Sequence, residues 1–226
     1  MSSSRADFLS GVRVSLPIVL GVLPFGMVAG VAAVNAGLSA PLALAMSVFV
    51  FAGASQLAAA DLIGRSAPAV VVVLTVIIIN LRMMMYSASI APYFKRQSAR
   101  WKAGLSYFLT DQAYAVSLMK FEQDEETNRR WYYLGVGVSL WVTWQLATVA
   151  GILLGASVPS GWHLDFAVPL VFLAVLVPSV TDRATVVAAV VGGATAVAAN
   201  GLPFNLGLVT AAVVGIVAGL LVEEVA

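Results

Sequence analysis

The chain is a succession of apolar runs, most of them near the 20 or so helical residues that a hydrocarbon core of about 30 Å requires, with hardly a charge inside them. Flanking charges, turns and prolines delimit them at 14–35, 40–63, 67–91, 131–156, 164–181, 184–200 and 205–222, and a shorter, more polar segment lies at 103–120. At 61% hydrophobic and 10% charged, against about 25% charged for a soluble domain, such a chain turns most of its surface to lipid. The pattern predicts an all-α integral membrane protein of about seven transmembrane helices in one polytopic domain, 1–226.

Several classes fall away. The first run follows Arg5 and Arg13, but it exceeds the roughly 7–15 apolar residues of a signal peptide and contains Pro17 and Pro24, so it is expected to be retained. There is no cysteine, and His163 stands by itself in "SGWHLD", so no metal site or other cofactor is expected. A net charge of +1 with dispersed basic residues lacks the footprint of nucleic-acid binding. An intramembrane enzyme needs a nucleophile–base dyad or metal ligands, and neither pattern occurs, so the chain is read as a non-enzyme.

Topology poses a conflict. Lys95, Arg96, Arg100 and Lys102 fall in "KRQSARWK", and Lys120, Arg129 and Arg130 surround the next loop. Both loops favour the cytoplasmic side, yet a spanning 103–120 would separate them. Either that segment re-enters and leaves on one side, tolerated where protein or water covers its backbone, or the charge rule fails for one loop. "SLPIVLGVLPFGMVAGV" from Ser15 resembles "SLWVTWQLATVAGILLG" from Ser139. This suggests a 3+3 inverted repeat: a first set at about 14–91, linker and polar segment 92–130, a second set at about 131–200, and a last helix at about 205–222. On that plan the N-terminus lies outside, against Arg5 and Arg13.

Four interruptions of the apolar runs read as a site. In "LPFGMVAG", Pro24, Phe25 and Gly26 predict a broken helix with exposed carbonyls, although Gly26 with Gly30, Gly151 with Gly155 and Gly215 with Gly219 also suit close helix packing. In "FAGASQLAAAD", Gly53, Ala54, Ser55 and Gln56 gather near the middle of a run, for substrate contact or for interhelical hydrogen bonds. Asp61 and Arg65, four apart, read as an interfacial ion pair.

In "NLRMMMYSASIAP", Asn80 and Arg82 precede Tyr86, and ten largely apolar residues follow before the run ends. An arginine at that depth costs at least about 2.5 kcal/mol on insertion scales and calls for an anionic partner or an aqueous cavity; snorkelling to headgroups is the alternative. Met83, Met84 and Met85 point three ways and read as packing or lipid contacts. In "FLTDQAYAVSL", Thr110, Asp111 and Gln112 interrupt the segment of doubtful topology. Asp111 is the counter-charge for Arg82 or for a substrate ammonium, and a carboxylate in hydrocarbon can carry a proton. A fixed bridge between two helices is the structural alternative.

In this order, "SLPIVLGVLPFG", "GLSAPLALAMSVFVFAGASQ", "NLRMMMYSASIAP", "FLTDQAYA" and "GVSLWVTWQLATVAGILLG" resemble the large subunit of bacterial branched-chain amino acid exporters, the AzlC-type permeases. The family frequently carries histidine after the arginine, where this chain has Met83 and Met84, and an acid after the aspartate, where it has Gln112. Asp111 is thereby left as the proton-coupling candidate. The resemblance implies export of hydrophobic amino acids, valine, leucine, isoleucine and also methionine, across the bacterial inner membrane by a multi-pass secondary transporter partnered by a small AzlD-type membrane subunit. No G-x-x-x-x-G-K-[ST] loop occurs, so an ion gradient or the substrate gradient would supply the energy. A structural or assembly subunit and an importer of the same substrates are the competing readings. On the exporter reading, Asp111 takes the ammonium or the coupling proton, Arg82 with Asn80 takes the carboxylate or orients Asp111, and the breaks line the cavity.

Overall fold

The computed structural model describes residues 4–124, 126–157, 180, 182–199, 201 and 206–223, in two compact units that divide after His163. Among the described residues every regular element is helical. In the first unit these are α1 Ser4–Asn35, α2 Ala40–Val50, α3 Gly53–Gly64, α4 Ala69–Ile90 continued by a 3₁₀ turn Ala91–Phe94, α5 Ala99–Tyr107, α6 Asp111–Gln123 and α7 Arg129–Ser157. Three of them are long and apolar enough to cross a membrane: Ser4–Asn35, Ala69–Phe94 and Arg129–Gly155.

Glycines set the central pair. A methyl on Gly11 would strike the carbonyl oxygen of Tyr132, and one on Gly135 that of Phe8; farther along, Gly30 abuts Thr148 and Gly151 abuts Met27 in the same reciprocal way. Low numbers of α1 therefore meet low numbers of α7, and the two helices run parallel with their backbones in contact, as small residues permit in lipid. Ser15 Oγ donates to the Gly11 carbonyl at 2.8 Å and Ser139 Oγ to the Gly135 carbonyl at 2.7 Å, so the likeness of the two stretches marks a shared seam. This corrects the inverted plan that paired sets opening at Ser15 and Ser139: their first helices point the same way. It also corrects the broken helix expected at Pro24, because α1 runs uninterrupted through Pro17 and Pro24.

The run 40–63 is not one helix but a hairpin of two short ones, α2 and α3. Ala43 of α2 packs beside Ala33 and Ile152, near the ends of α1 and α7. Gly53, at the start of α3, lies against Phe25, about two thirds of the way along α1, and Trp144, midway along α7, and Gly64 returns to Ala36 just past the end of α1. α4 then descends from that end, passing the tip where Asn80 meets Ser55 and finishing where Phe94 packs on Tyr133 near the start of α7.

The segment 103–120 belongs to a second hairpin entering from the opposite end. Trp101 of α5 packs on Trp131, at the start of α7. Tyr107 reaches Trp141, halfway up it. α6 returns so that Phe121 packs against Tyr132. The two hairpins, Ala40–Gly64 and Ala99–Gln123, are of equal length and each is followed by a long helix, α4 or α7, running onward from its own end.

Because 103–120 lies in a hairpin whose two ends both pack near the start of α7, the two basic loops come to the same end of the unit. Lys95, Arg96, Arg100, Lys102, Lys120, Arg129 and Arg130 all stand at one end of the unit, together with Arg5 and Arg13. Asp7 fixes the first turn of α1 there by accepting the Asn128 N–H at 3.2 Å, so the N-terminus lies beside the basic loops rather than across from them. Arg129 over the Tyr93 ring at 5.0 Å and Arg130 over Trp101 at 4.5 Å form the basic and aromatic belt that suits a headgroup layer.

The second unit holds α8 Arg183–Ala198 and α9 Leu206–Glu223. Gly207 meets Ala199 while Gly219 meets Ala184 and Ala188, so these helices pack antiparallel through small residues. They match the runs 184–200 and 205–222. The run 164–181 and His163 fall almost wholly outside the described residues.

Candidate functional site

The tip of the first hairpin turns at Phe51, whose φ of 24° and ψ of 50° lie in the left-handed region, followed by extended Ala52. Such a conformation costs a non-glycine residue on the order of 1–3 kcal/mol and persists only where its surroundings impose it. Here the surroundings are side chains that serve the carbonyls at the C-terminal end of α2. Gln56 Nε2 donates to the Met46 carbonyl at 3.3 Å, Gln145 Nε2 to Ser47 at 3.4 Å, and the Tyr107 hydroxyl to Val48 at 2.7 Å. Within a bilayer each such group left unserved would cost several kcal/mol, so α3, α7 and α5 together hold the break open.

Behind the tip, Phe25 and Trp144 meet edge to face at 5.4 Å, and a methyl on Gly53 would strike both rings. Gly53 thus admits two rings at the tip. α3 starts without a side-chain cap, so the N–H groups of its first turn remain available at this depth. Ser55 Oγ donates to the Ala52 carbonyl at 2.9 Å and accepts from Asn80 Nδ2 at 3.1 Å, which ties the tip to α4.

The second tip presents the charges. Thr110 caps α6 by accepting the Ala113 N–H at 3.2 Å, which places Asp111 in the first turn, where the helix dipole favours a negative group. Arg82 Nη1 stands 3.1 Å from Asp111 Oδ1, with the two side chains 33% and 37% exposed. Arg82 sits eight residues above the end of α4 at Ile90, about 12 Å along the axis at 1.5 Å per residue, deeper than a snorkelling side chain recovers. The pair is under-satisfied: Arg82 Nε and Asp111 Oδ1 are buried atoms without an aligned hydrogen bond among the described residues. Beside it Tyr86 stacks on Tyr114 at 4.5 Å, and the Tyr114 hydroxyl donates to Ser89 at 2.9 Å. Tyr86 is an electrostatic neighbour of both Asp111 and Arg82.

Two residues apart on α4, Asn80 and Arg82 lie about 160° apart around the helix and flank its inward face, where Ile79, Met83 and Tyr86 are half-buried. Apart from Ile90, α4 has no buried residue.

Of the residues singled out in the sequence, Phe25 and Gly53 meet through Trp144, Ser55 meets Asn80, and Arg82 meets Asp111 beside Tyr86. Thr110 is a cap; Gln56 braces α2; Gly26 packs on Ala147 in the α1–α7 seam; Pro24 lies within an unbroken helix; Ala54 and Gln112 are half-buried first-turn neighbours. Asp61 and Arg65 pair at 2.9 Å on the surface as expected. Sequence reasoning passes over Tyr107, Trp141 and Gln145. Their only signal is a polar or amphipathic side chain recurring in otherwise apolar helices.

Comparison with known proteins gives the family. The family model described as "AzlC protein" matches residues 17–158, a stretch that contains both hairpins. "Inner membrane protein YgaZ" of Escherichia coli (strain K12) is 29% identical over 227 residues, covering 96% of this chain and 89% of that one. An "Uncharacterized membrane protein" of Archaeoglobus fulgidus is 32% identical over 218 residues, covering 94% of each. Another from Helicobacter pylori (strain ATCC 700392 / 26695) is 28% identical over 155 residues, covering 66% of this chain and 67% of that one. No solved structure matches the chain. The chain is a membrane protein of the AzlC family.

Proposed function

We propose that this chain is the large subunit of a secondary transporter that exports branched-chain or related hydrophobic amino acids across the inner membrane. The observation that supports it most is the Arg82–Asp111 pair, formed between α4 and the tip of the second hairpin, on the helix whose Asn80 is tied to Ser55 in the uncapped first turn of α3. Broken helices entering from opposite ends around a central site are the recurrent plan of secondary transporters. A zwitterion needs an acceptor, donors and an apolar pocket. Asp111 offers the acceptor, or the coupling proton, while Arg82, Asn80 and the first turn of α3 offer donors.

In this reading the basic end is cytoplasmic, and the protein is multi-pass, with α1, α4, α7 and the α8–α9 pair as spans. The first hairpin takes the place of the crossing expected at 40–63. A small AzlD-type membrane subunit would complete the complex, and an ion gradient would drive it. The test is efflux of labelled leucine and valine from preloaded cells, with and without this chain and its small partner. Efflux that does not depend on the chain would contradict the proposal. One observation favours a second reading, a structural subunit: the pair is closed at 3.1 Å, as a fixed brace between α4 and α6 would be.

A further inference from the structure

A cleft of about 310 Å³ opens between α4 and α5 at the basic end and runs inward to the second hairpin tip. Ile90, Phe94, Leu105, Leu109 and Tyr133 make its walls apolar, and among the described residues Lys102 is the only charged one that lines it, with no aspartate or glutamate. The Ser106 hydroxyl is spent within its own helix, donating to the Ala103 carbonyl at 2.8 Å. Lys102 is exposed and forms no ion pair among the described residues. A molecule here meets hydrocarbon along its length and one cation at the outer end, with no acid for an ammonium.

We propose that this cleft binds a small apolar monocarboxylate: it reads the carboxylate and aliphatic tail of the transported molecule and ignores its ammonium. The volume sits at the low end of the roughly 300–1,000 Å³ of small-molecule pockets, which suits one such molecule and not a two-chain lipid. At its inner end Leu109 precedes Thr110 and Asp111 by one and two positions. A molecule admitted on its carboxylate and tail is thus delivered to the one carboxylate that can read an ammonium. The inference rests on the transport reading for its purpose, but not for its test.

The test is calorimetric titration of the purified full chain with 4-methylpentanoate, leucine and leucinamide. The expected result is binding of 4-methylpentanoate that leucinamide does not displace, a loss of about tenfold in its affinity in Lys102→Gln, the scale of one charge-assisted contact, and abolition of that binding in Ala91→Trp, which fills the cleft. Gly193→Ala, in open space outside both sites, leaves 4-methylpentanoate binding unchanged. Equal binding of leucinamide, or carboxylate affinity indifferent to Lys102→Gln, overturns the proposal. So does a phospholipid that co-purifies with the wild type and is lost in Ala91→Trp. Carboxylate binding with these properties in a chain that supports no leucine efflux upholds the cleft and counts against the transport reading alone.

Discussion

Tyr107 and Val48 join the two hairpin tips: the tyrosine hydroxyl donates to the valine carbonyl at 2.7 Å and accepts from Trp141 Nε1 at 2.8 Å. One side chain from the hairpin that enters at the basic end thereby serves a backbone group freed by the break in the other. Tyr107→Phe should lower the thermal stability of the purified protein by about 1 kcal/mol, the net worth of one hydrogen bond, and should weaken transport more than expression. Trp141→Phe leaves the tyrosine–carbonyl bond in place and should have the smaller effect on both. Scanning calorimetry alongside efflux checks the order, and equal stability of Tyr107→Phe and wild type would show that the tips are not joined through this bond.

The α1–α7 seam predicts a sharp contrast between glycines. Gly151 faces the Met27 carbonyl with no room for a methyl, whereas Gly193 has open space around it. Gly151→Leu should abolish folded protein in the membrane fraction, and Gly193→Ala should leave its amount unchanged. Detergent-solubilised yield on a sizing column reads both.

Arg82→Ala should reduce leucine efflux at least about tenfold, which corresponds to about 1.4 kcal/mol, because it strands Asp111 at mid-depth without its counter-charge. Arg82→Lys keeps the charge but not the planar fork and should fall between. Efflux unaffected by Arg82→Ala, in protein that assembles normally, would return the arginine to a headgroup contact.

At the basic end, Lys120 Nζ and Thr127 Oγ1 both donate to Asp124 at 2.8 Å, and the lysine foremost, then the threonine, hold the Asp124 carboxyl below its ordinary 3.8 at about 2. A carboxylate whose folded value is depressed stabilises above its unfolded value and loses that contribution as pH falls through the folded one. The 124–128 turn should therefore stay closed above about pH 4 and loosen between about pH 4 and 2. Amide exchange at Glu126, whose N–H is bonded to Asp124 at 3.0 Å, should accelerate in that window beyond the intrinsic rate. Asp124→Asn should remove this pH dependence.

The long spans are legible because apolar runs of sufficient length admit few alternatives in lipid: α1, α4 and α7 lie where the runs place them. The second hairpin shows itself through Thr110 and Asp111, a cap followed by a charge inside an apolar segment. The first hairpin does not, because "SVFVFAGAS" contains no proline or charge, and its break is imposed by Tyr107, Gln145 and Gln56 acting on carbonyls of α2. Those partners lie up to 98 residues away in sequence, and no local pattern reports them. The likeness of the stretches at Ser15 and Ser139 is a packing signal: both helices need a glycine and a small hydroxyl residue where their backbones touch, and that need makes them alike whichever way they run. Of the site, the pairing of Arg82 with Asp111 is legible from the cost of either charge alone. The role of Gly53 is not, since a small residue reads the same whether it admits a ligand or two aromatic rings.

Efflux of labelled leucine from cells carrying Asp111→Asn, with the variant present in the membrane at wild-type level, tests the central claim most directly. Asparagine keeps the size of the side chain and removes only the charge that pairs with Arg82. The account predicts efflux reduced at least about tenfold, the equivalent of about 1.4 kcal/mol, with the protein still folded. Efflux equal to wild type would take Asp111 out of the mechanism and leave the pair as a brace between α4 and α6.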